Sequence, residues 1–232
     1  MVIAATTSIM SFRFKQFTIQ DDRCAMKVGT DGVLLGAWCP KGTRILDVGT
    51  GSGLIARMLM QRCPEAEVEG IDIDEAAVEQ ARENGVKAYC SSLQNWQGSY
   101  DLIVSNPPYF QNSLKNPDKG REMARHTDTL SYAELIQHSA RLLQEGGRLA
   151  LILPAEAENE IRQLAAAADL FLTHVTRVYS KENKKPKRVL LAFAKFKIQN
   201  SKFKFFEDTL VLEDEKGGRS AAYSELTKDF YL

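Results

Sequence analysis

Two hydrophobic periods alternate along the chain. Short continuous apolar runs, "RILDVG", "AEVEGIDI", "VKAYC", "YDLIVS" and "RLALILP", read as buried strands. Between them lie "GLIARMLMQR", "DEAAVEQARENG", "SYAELIQHSARLL" and "AEAENEIRQLAAAA", whose apolar positions recur at helical spacing. Gly85 closes the second of these helices, and a Ser-x-x-Glu capping box, Ser131 and Glu134, opens the third. Strands alternating with helices predict a parallel sheet with crossover connections. After Ala168 the pattern changes. "LTHVTRVYS" and "KRVLLAFAKFKI" flank the basic turn "KENKKPK" and predict an antiparallel pair closing the sheet. "DTLVLED" predicts a further strand, followed by the aromatic tail "AAYSELTKDFYL". Before the sheet, "FRFKQFTI" alternates and predicts a strand over 12–19. "TDGVLLGAW" predicts a short helix or turn with Thr30 or Asp31 near its start.

The 232 residues are 44% hydrophobic, enough for a full core in one domain. Residues 1–10, "MVIAATTSIM", lack the basic start of a signal peptide and read as a frayed tail. The expected organisation is a single unit over 11–232: an extension over 11–43, a catalytic core over 44–200 and an appendage over 201–232. No segment is long and apolar enough to predict a membrane span. The four cysteines lie far apart with no C-x-x-C pair, which argues for reduced thiols in the cytoplasm and against a zinc site. Formal net charge is zero, so any nucleic-acid role requires charge gathered on one face.

Chemistry concentrates at two strand ends. "LDVGTGSG" places Asp47, Gly49, Thr50, Gly51 and Gly53 at a strand-to-helix turn, where glycines let a ligand approach the backbone and a helix start offers N–H groups. The spacing is neither G-x-G-x-x-G nor a P-loop. Asp72 ends the next strand, placed to accept two ribose hydroxyls, while Asp74 reads as the following helix's N-cap. "VSNPPYF" ends the fourth strand. Prolines pin the backbone there, so the Asn106 side-chain oxygen and the Pro107 carbonyl point in fixed directions. Two fixed acceptors can draw a conjugated exocyclic amine toward tetrahedral geometry as positive charge develops on its nitrogen. Pro108 stiffens the turn, and Tyr109 can stack on a flat target.

D-x-G-x-G-x-G resembles the nucleotide loop of Rossmann-like class I S-adenosylmethionine-dependent methyltransferases, and N-P-P-Y their amino-methylating branch. "FTIQDDRCAMKVGTDGVLLGAW", "RHTDTLSYAELI", "ILPAE", "KPKRVLLAF" and "DFYL" resemble the bacterial tRNA1(Val) adenine-N6 methyltransferases over nearly the whole chain. The resemblance implies an α/β fold: a mostly parallel seven-stranded sheet, helices on both faces, an antiparallel last strand, and a short N-terminal strand/turn extension. It implies S-adenosylmethionine as cofactor and, as substrate, the adenine 3′ of the anticodon in a valine tRNA, without metal or obligate protein partner. Asn106, Pro107, Pro108 and Tyr109 become the catalytic turn. Cofactor contacts fall on Lys27, Thr30, Asp47, Gly49, Thr50, Gly51, Gly53, Asp72, Ile73, Ser92, Leu93 and Asn106. Ser92 stands where the family usually has an aspartate. Lys27 and Thr30 carry an equal alternative, a surface lysine and a helix cap. Lys115, Lys119, Arg121 and Arg125, with Lys184, Lys185, Lys187 and Arg188, form two basic loops that could track RNA phosphates, a solvated surface being the competing reading.

Three other functions compete. A protein-glutamine methyltransferase of release factors would share the Asn-Pro-Pro-Tyr chemistry, but only 44 residues precede "ILDVG", too few for that family's helical domain. An rRNA guanine-N2 methyltransferase would more often carry a duplicated domain. An RNA-binding chaperone would not need an intact glycine loop, Asp72 and Asn106.

Overall fold

The computed structural model describes residues 11–108, 130–196 and 205–232. Its centre is a sheet of eight strands: β3 (Arg44–Val48), β4 (Glu67–Asp72), β5 (Lys87–Cys90), β6 (Tyr100–Ser105), β7 (Leu143–Pro154), β8 (Leu170–Tyr179), β9 (Arg188–Lys195) and β10 (Phe206–Val211). They lie in the order β10-β8-β9-β7-β6-β3-β4-β5. β9 alone runs antiparallel, between β7 and β8. The seven strands from β3 to β9 are the expected core. The segment read as a lone strand in the tail joins the same sheet, as β10, parallel to β8 at its edge.

The helices cover both faces, because strands buried on both sides leave no polar face to water. On one face lie α1 (Thr30–Trp38), α2 (Leu54–Arg62), α3 (Glu75–Glu83) and the late α6 (Ala221–Thr227); Leu34, Leu35, Leu59, Val78 and Tyr223 fill that core layer. On the other, α4 (Tyr132–Leu142) and α5 (Glu158–Ala167) bury Leu135, Ile136, Ile161 and Ala165 against β6, β7 and β9. α4 starts with the expected capping box, and α3 starts with Asp74 accepting from the Ala76 amide.

Residues 12–19 are not one strand. Ser11–Arg13 (β1) and Thr18–Gln20 (β2) pair antiparallel across a tight turn closed by the Phe14 amide donating to the Phe17 carbonyl. Alternation hid this because Phe14 and Phe17 both turn inward, their rings stacked at 4.8 Å. With Ile19 they pack on Val33, Leu54, Met58 and Phe230 in a third core cluster. α1 presses closely on α2 there: a Cβ at Gly36 would come within 2.7 Å of the Met58 sulfur.

Candidate active site

β3, β4, β6 and β7 end at one edge of the sheet, the edge where open α/β folds bind ligands. The glycine loop lies over β4: the Gly49 and Thr50 amides both donate to the Ile71 carbonyl, at 2.9 and 3.0 Å. Gly49, Gly51 and Gly53 all have positive φ, which favours glycine. They divide by role. A Cβ on Gly49 or Gly51 would meet nothing within 4 Å, whereas one on Gly53 would lie 2.7 Å from Val86. The first two leave the backbone open to a ligand, and the third lets α2 start close against α3 and the link that follows it.

Asp72 closes the loop from the side. Its Oδ2 accepts from the Gly51 amide at 2.9 Å and its Oδ1 from the Asp74 amide at 3.1 Å. A carboxylate has about four acceptor sites, so this leaves capacity on both oxygens for a diol. Asp47 does a different job. It is fully buried, and its Oδ2 accepts from the Thr50 hydroxyl and the Ala56 amide, tying loop to helix. Burial pushes its carboxyl up to about 7. Asp47 and Gly53 do not line the clefts described next.

Two adjoining cavities open over this edge, and they share Met26, Gly49, Gly51 and Asn106. The first, about 260 Å³, runs past Asp72, Ile73, Leu93, Ser105, Pro107 and Pro108. Ile73 and Met26 are half exposed there, an unusual placement for large apolar side chains unless a flat apolar group lies against them. Ser91, Leu93 and Gln94 line it, while Ser92 does not; the Ser92 carbonyl instead accepts from the Asn95 and Trp96 amides in a turn. The second cavity, about 350 Å³, is lined by Lys27, Thr30, Asp31, Thr50 and Ser52.

The roof over both is the leader between β2 and α1. Asp21 organises it. Its side chain accepts from the Val28 amide at 2.7 Å, and the carbonyls of Asp21 and Asp22 accept the Lys27 ammonium at 2.6 and 3.1 Å. Asn84 at the end of α3 exchanges two hydrogen bonds with Gln20 and donates a third to the Ser52 carbonyl, so leader and glycine loop share one anchor. Arg23 ion-pairs with Glu79 and Glu83, and its amide donates to Gln80. This brings Cys24, Ala25 and Met26 to the cleft wall, residues that sequence reasoning missed because only the folded leader points them there.

Ser105 fixes the approach to Asn106: its hydroxyl donates to the Val48 carbonyl at 2.8 Å, joining the ends of β6 and β3. Asn106 thus stands where the two cavities meet, with Pro107 buried behind it. Tyr109, Lys115, Lys119, Arg121 and Arg125 lie outside the described residues. Lys184, Lys185 and Lys187 lie on the turn before β9, and Arg188 is the first residue of that strand. Arg188 pairs with Pro154 across the ladder, so this turn belongs to the same sheet edge. No group of three His, Cys, Asp or Glu side chains among the described residues is arranged to hold a metal ion.

These walls fit S-adenosylmethionine. The open glycine backbone leaves room for its ribose, Asp72 retains acceptors for the diol, and Ile73, Leu93 and Met26 offer apolar contact to a purine.

Known proteins share this fold and much of this sequence. Residues 29–176 match the methyltransferase small domain. A predicted O-methyltransferase from Agrobacterium tumefaciens superposes with a TM-score of 0.67 at 17% identity, over 86% of this chain and 96% of that one, which establishes the fold. The tRNA1(Val) (adenine(37)-N6)-methyltransferase of Phocaeicola vulgatus is 45% identical, aligned over 95% of this chain and 97% of the relative. The protein of that name from Parabacteroides distasonis is 44% identical over the same shares. With similarity spanning leader, glycine loop and tail alike, the chain belongs to the tRNA1(Val) adenine-N6 methyltransferase family.

Proposed function

We propose that this protein methylates the exocyclic N6 amine of the adenine at position 37, next to the anticodon, in tRNA1(Val). The observation that carries the reading is Asn106, held by the Ser105 anchor at the junction of the two cavities. Bound in the first cleft, S-adenosylmethionine supplies an electrophilic methyl group. The residues around it do the rest. Gly49, Gly51, Asp72, Ile73 and Leu93 orient the nucleoside part, while Lys27, Thr30 and Thr50 border the polar second cavity toward its amino-acid end. Ser91 and Gln94 are better placed than Ser92 to meet the purine edge.

The target amine is a weak nucleophile because its lone pair is conjugated with the ring. The Asn106 oxygen and the Pro107 carbonyl accept its two hydrogens and favour the tetrahedral nitrogen. Both acceptors gain strength as charge develops, so they act mainly on the transition state. No strong base is required at the amine.

In this reading residues 11–232 work as one unit with the leader as roof, in the cytoplasm, where the free cysteines stay reduced. No helix among the described residues is long and apolar enough to cross a membrane. The test is direct: incubate the protein and labelled cofactor with total tRNA from a strain lacking the enzyme, then map the labelled nucleotide. Label at adenine 37 of tRNA1(Val) is the expected result. Label at another nucleotide, or no label in tRNA while a release factor or rRNA supplied in its place is labelled, would replace this reading.

A further inference from the structure

The turn between β8 and β9 holds three lysines without an ion-pair partner among the described residues. Lys184, Lys185 and Lys187 are exposed, and among the described residues no carboxylate lies within ion-pairing distance of them. Their neighbours differ. Lys181 pairs with Glu213 at 3.3 Å, and Arg188 with Asp31 at 2.8 Å. The turn itself is fixed. The Lys187 amide donates to the Val178 carbonyl at 2.9 Å, and the Lys187 carbonyl accepts from the Ala155 amide at 3.2 Å. The three lysines line an open cavity of about 510 Å³ together with Ser180, Arg188 and one acid, Glu156, so cations outnumber the acid four to one.

Like charges gathered this way repel one another, and an anion with several oxygens relieves that repulsion. Position says which anion. Arg188 stands two strands from the end of β6, roughly 10 Å at ordinary strand spacing. Asp31, its partner, also lines the second cavity beside Asn106. One ion pair, Asp31 with Arg188, thus separates the lysine cavity from the place where the target amine must sit.

We propose that the lysine cavity is a phosphodiester subsite, which takes a backbone phosphate of the strand carrying the target adenine, close beside that adenine. This rests on the function proposed above and assigns it a second fixed point. The Asn106 turn holds the base, the lysine turn holds the backbone, and the Asp31–Arg188 pair keeps the two in register.

A binding cycle on the whole protein tests it. tRNA1(Val) transcripts are built with a neutral methylphosphonate at single phosphates on either side of adenine 37. Charged controls carry the same 2′-O-methyl sugar. Binding is measured by filter retention for wild type and for the Lys184→Gln/Lys185→Gln/Lys187→Gln variant. Neutralising one of these phosphates should weaken wild-type binding on the order of tenfold and leave the variant's binding unchanged. The variant should also lose up to about 0.9 in the slope of log K against log salt per contact removed. Inorganic phosphate at millimolar concentration should not reproduce the effect, because the subsite takes a phosphate fixed by its strand. Equal losses in wild type and variant at every position would overturn the proposal. So would an unchanged salt slope, as expected if the lysines serve an acidic protein. Tight binding without methylation of adenine 37 would instead overturn the function reading, and the cycle would still judge the subsite.

Discussion

The two sides of the sheet edge are built on opposite principles. Over β3 and β4 the charged groups that shape the cleft and its roof, Asp72, Lys27 and Arg23, each have partners inside the chain. Asp72 accepts two backbone amides, Lys27 gives its ammonium to two carbonyls, and Arg23 is matched by Glu79 and Glu83. Over β7 and β9, three exposed lysines have no ion-pair partner among the described residues. The first side is organised before its ligand arrives, so binding there costs little ordering. The second gains its compensating charge only from a partner. A small cofactor suits the first design, and a polyanion the second.

Variants can break that contrast or sharpen it. The largest effect belongs to Asn106→Ala, which should lower single-turnover transfer by about 10²–10³-fold at saturating RNA, as removal of a transition-state acceptor or donor does elsewhere. Cofactor affinity should change little. A near-normal rate would move the acceptor role to another residue.

Next comes Asp72→Ala. Loss of a charged acceptor should weaken cofactor binding by about 1.5–3 kcal/mol in calorimetry. RNA affinity and its salt slope should stay as they are; a joint loss of both would mean the two sides are not separable.

Asn84→Ala should cost about 1–2 kcal/mol of stability, since one side chain joins Gln20 to Ser52. The melting midpoint should fall by a few degrees, and cofactor affinity should fall with it as roof and loop separate. An unchanged affinity would show that the roof docks without this anchor.

The smallest effect concerns pH. The folded chain holds Asp47 protonated up to about 7, against 3.8 for the free group. The folded state therefore binds the proton more tightly, and the stability this gives is complete below the lower value and lost as pH rises through the upper one. Asp47→Asn should flatten the decline in melting midpoint between about pH 4 and about pH 7. Equal slopes in the two proteins would mean that Asp47 ionises normally.

Much of this edge was legible from spacing alone. The glycine triplet, Asp72, the Asp74 cap and the Asn-Pro-Pro turn are local statements, each set by a few consecutive residues. What escaped depends on distance along the chain. The Asp31–Arg188 pair spans 157 residues, and no pattern near either one announces it. Ser92 is placed among the cofactor contacts only by its position in the family resemblance. A turn puts Ser91 and Gln94 on the cleft instead, with Arg141 of α4 donating to the carbonyls of Leu93, Gln94 and Trp96. Residues 12–19 alternate as a strand would, but two phenylalanines packing inward fold them into a hairpin.

The hairpin has a consequence for synthesis. The Lys15 amide donates to the Phe230 carbonyl at 2.8 Å, and the Phe230 ring is buried among Phe14, Phe17 and Met58. The hairpin that leads into the roof of the cofactor cleft therefore rests on residues that leave the ribosome after every strand of the sheet. A nascent chain stopped before Phe230 has its glycine loop and Asn106 but lacks the floor beneath its leader. Completion of the tail, rather than of the sheet, is the event that closes the site.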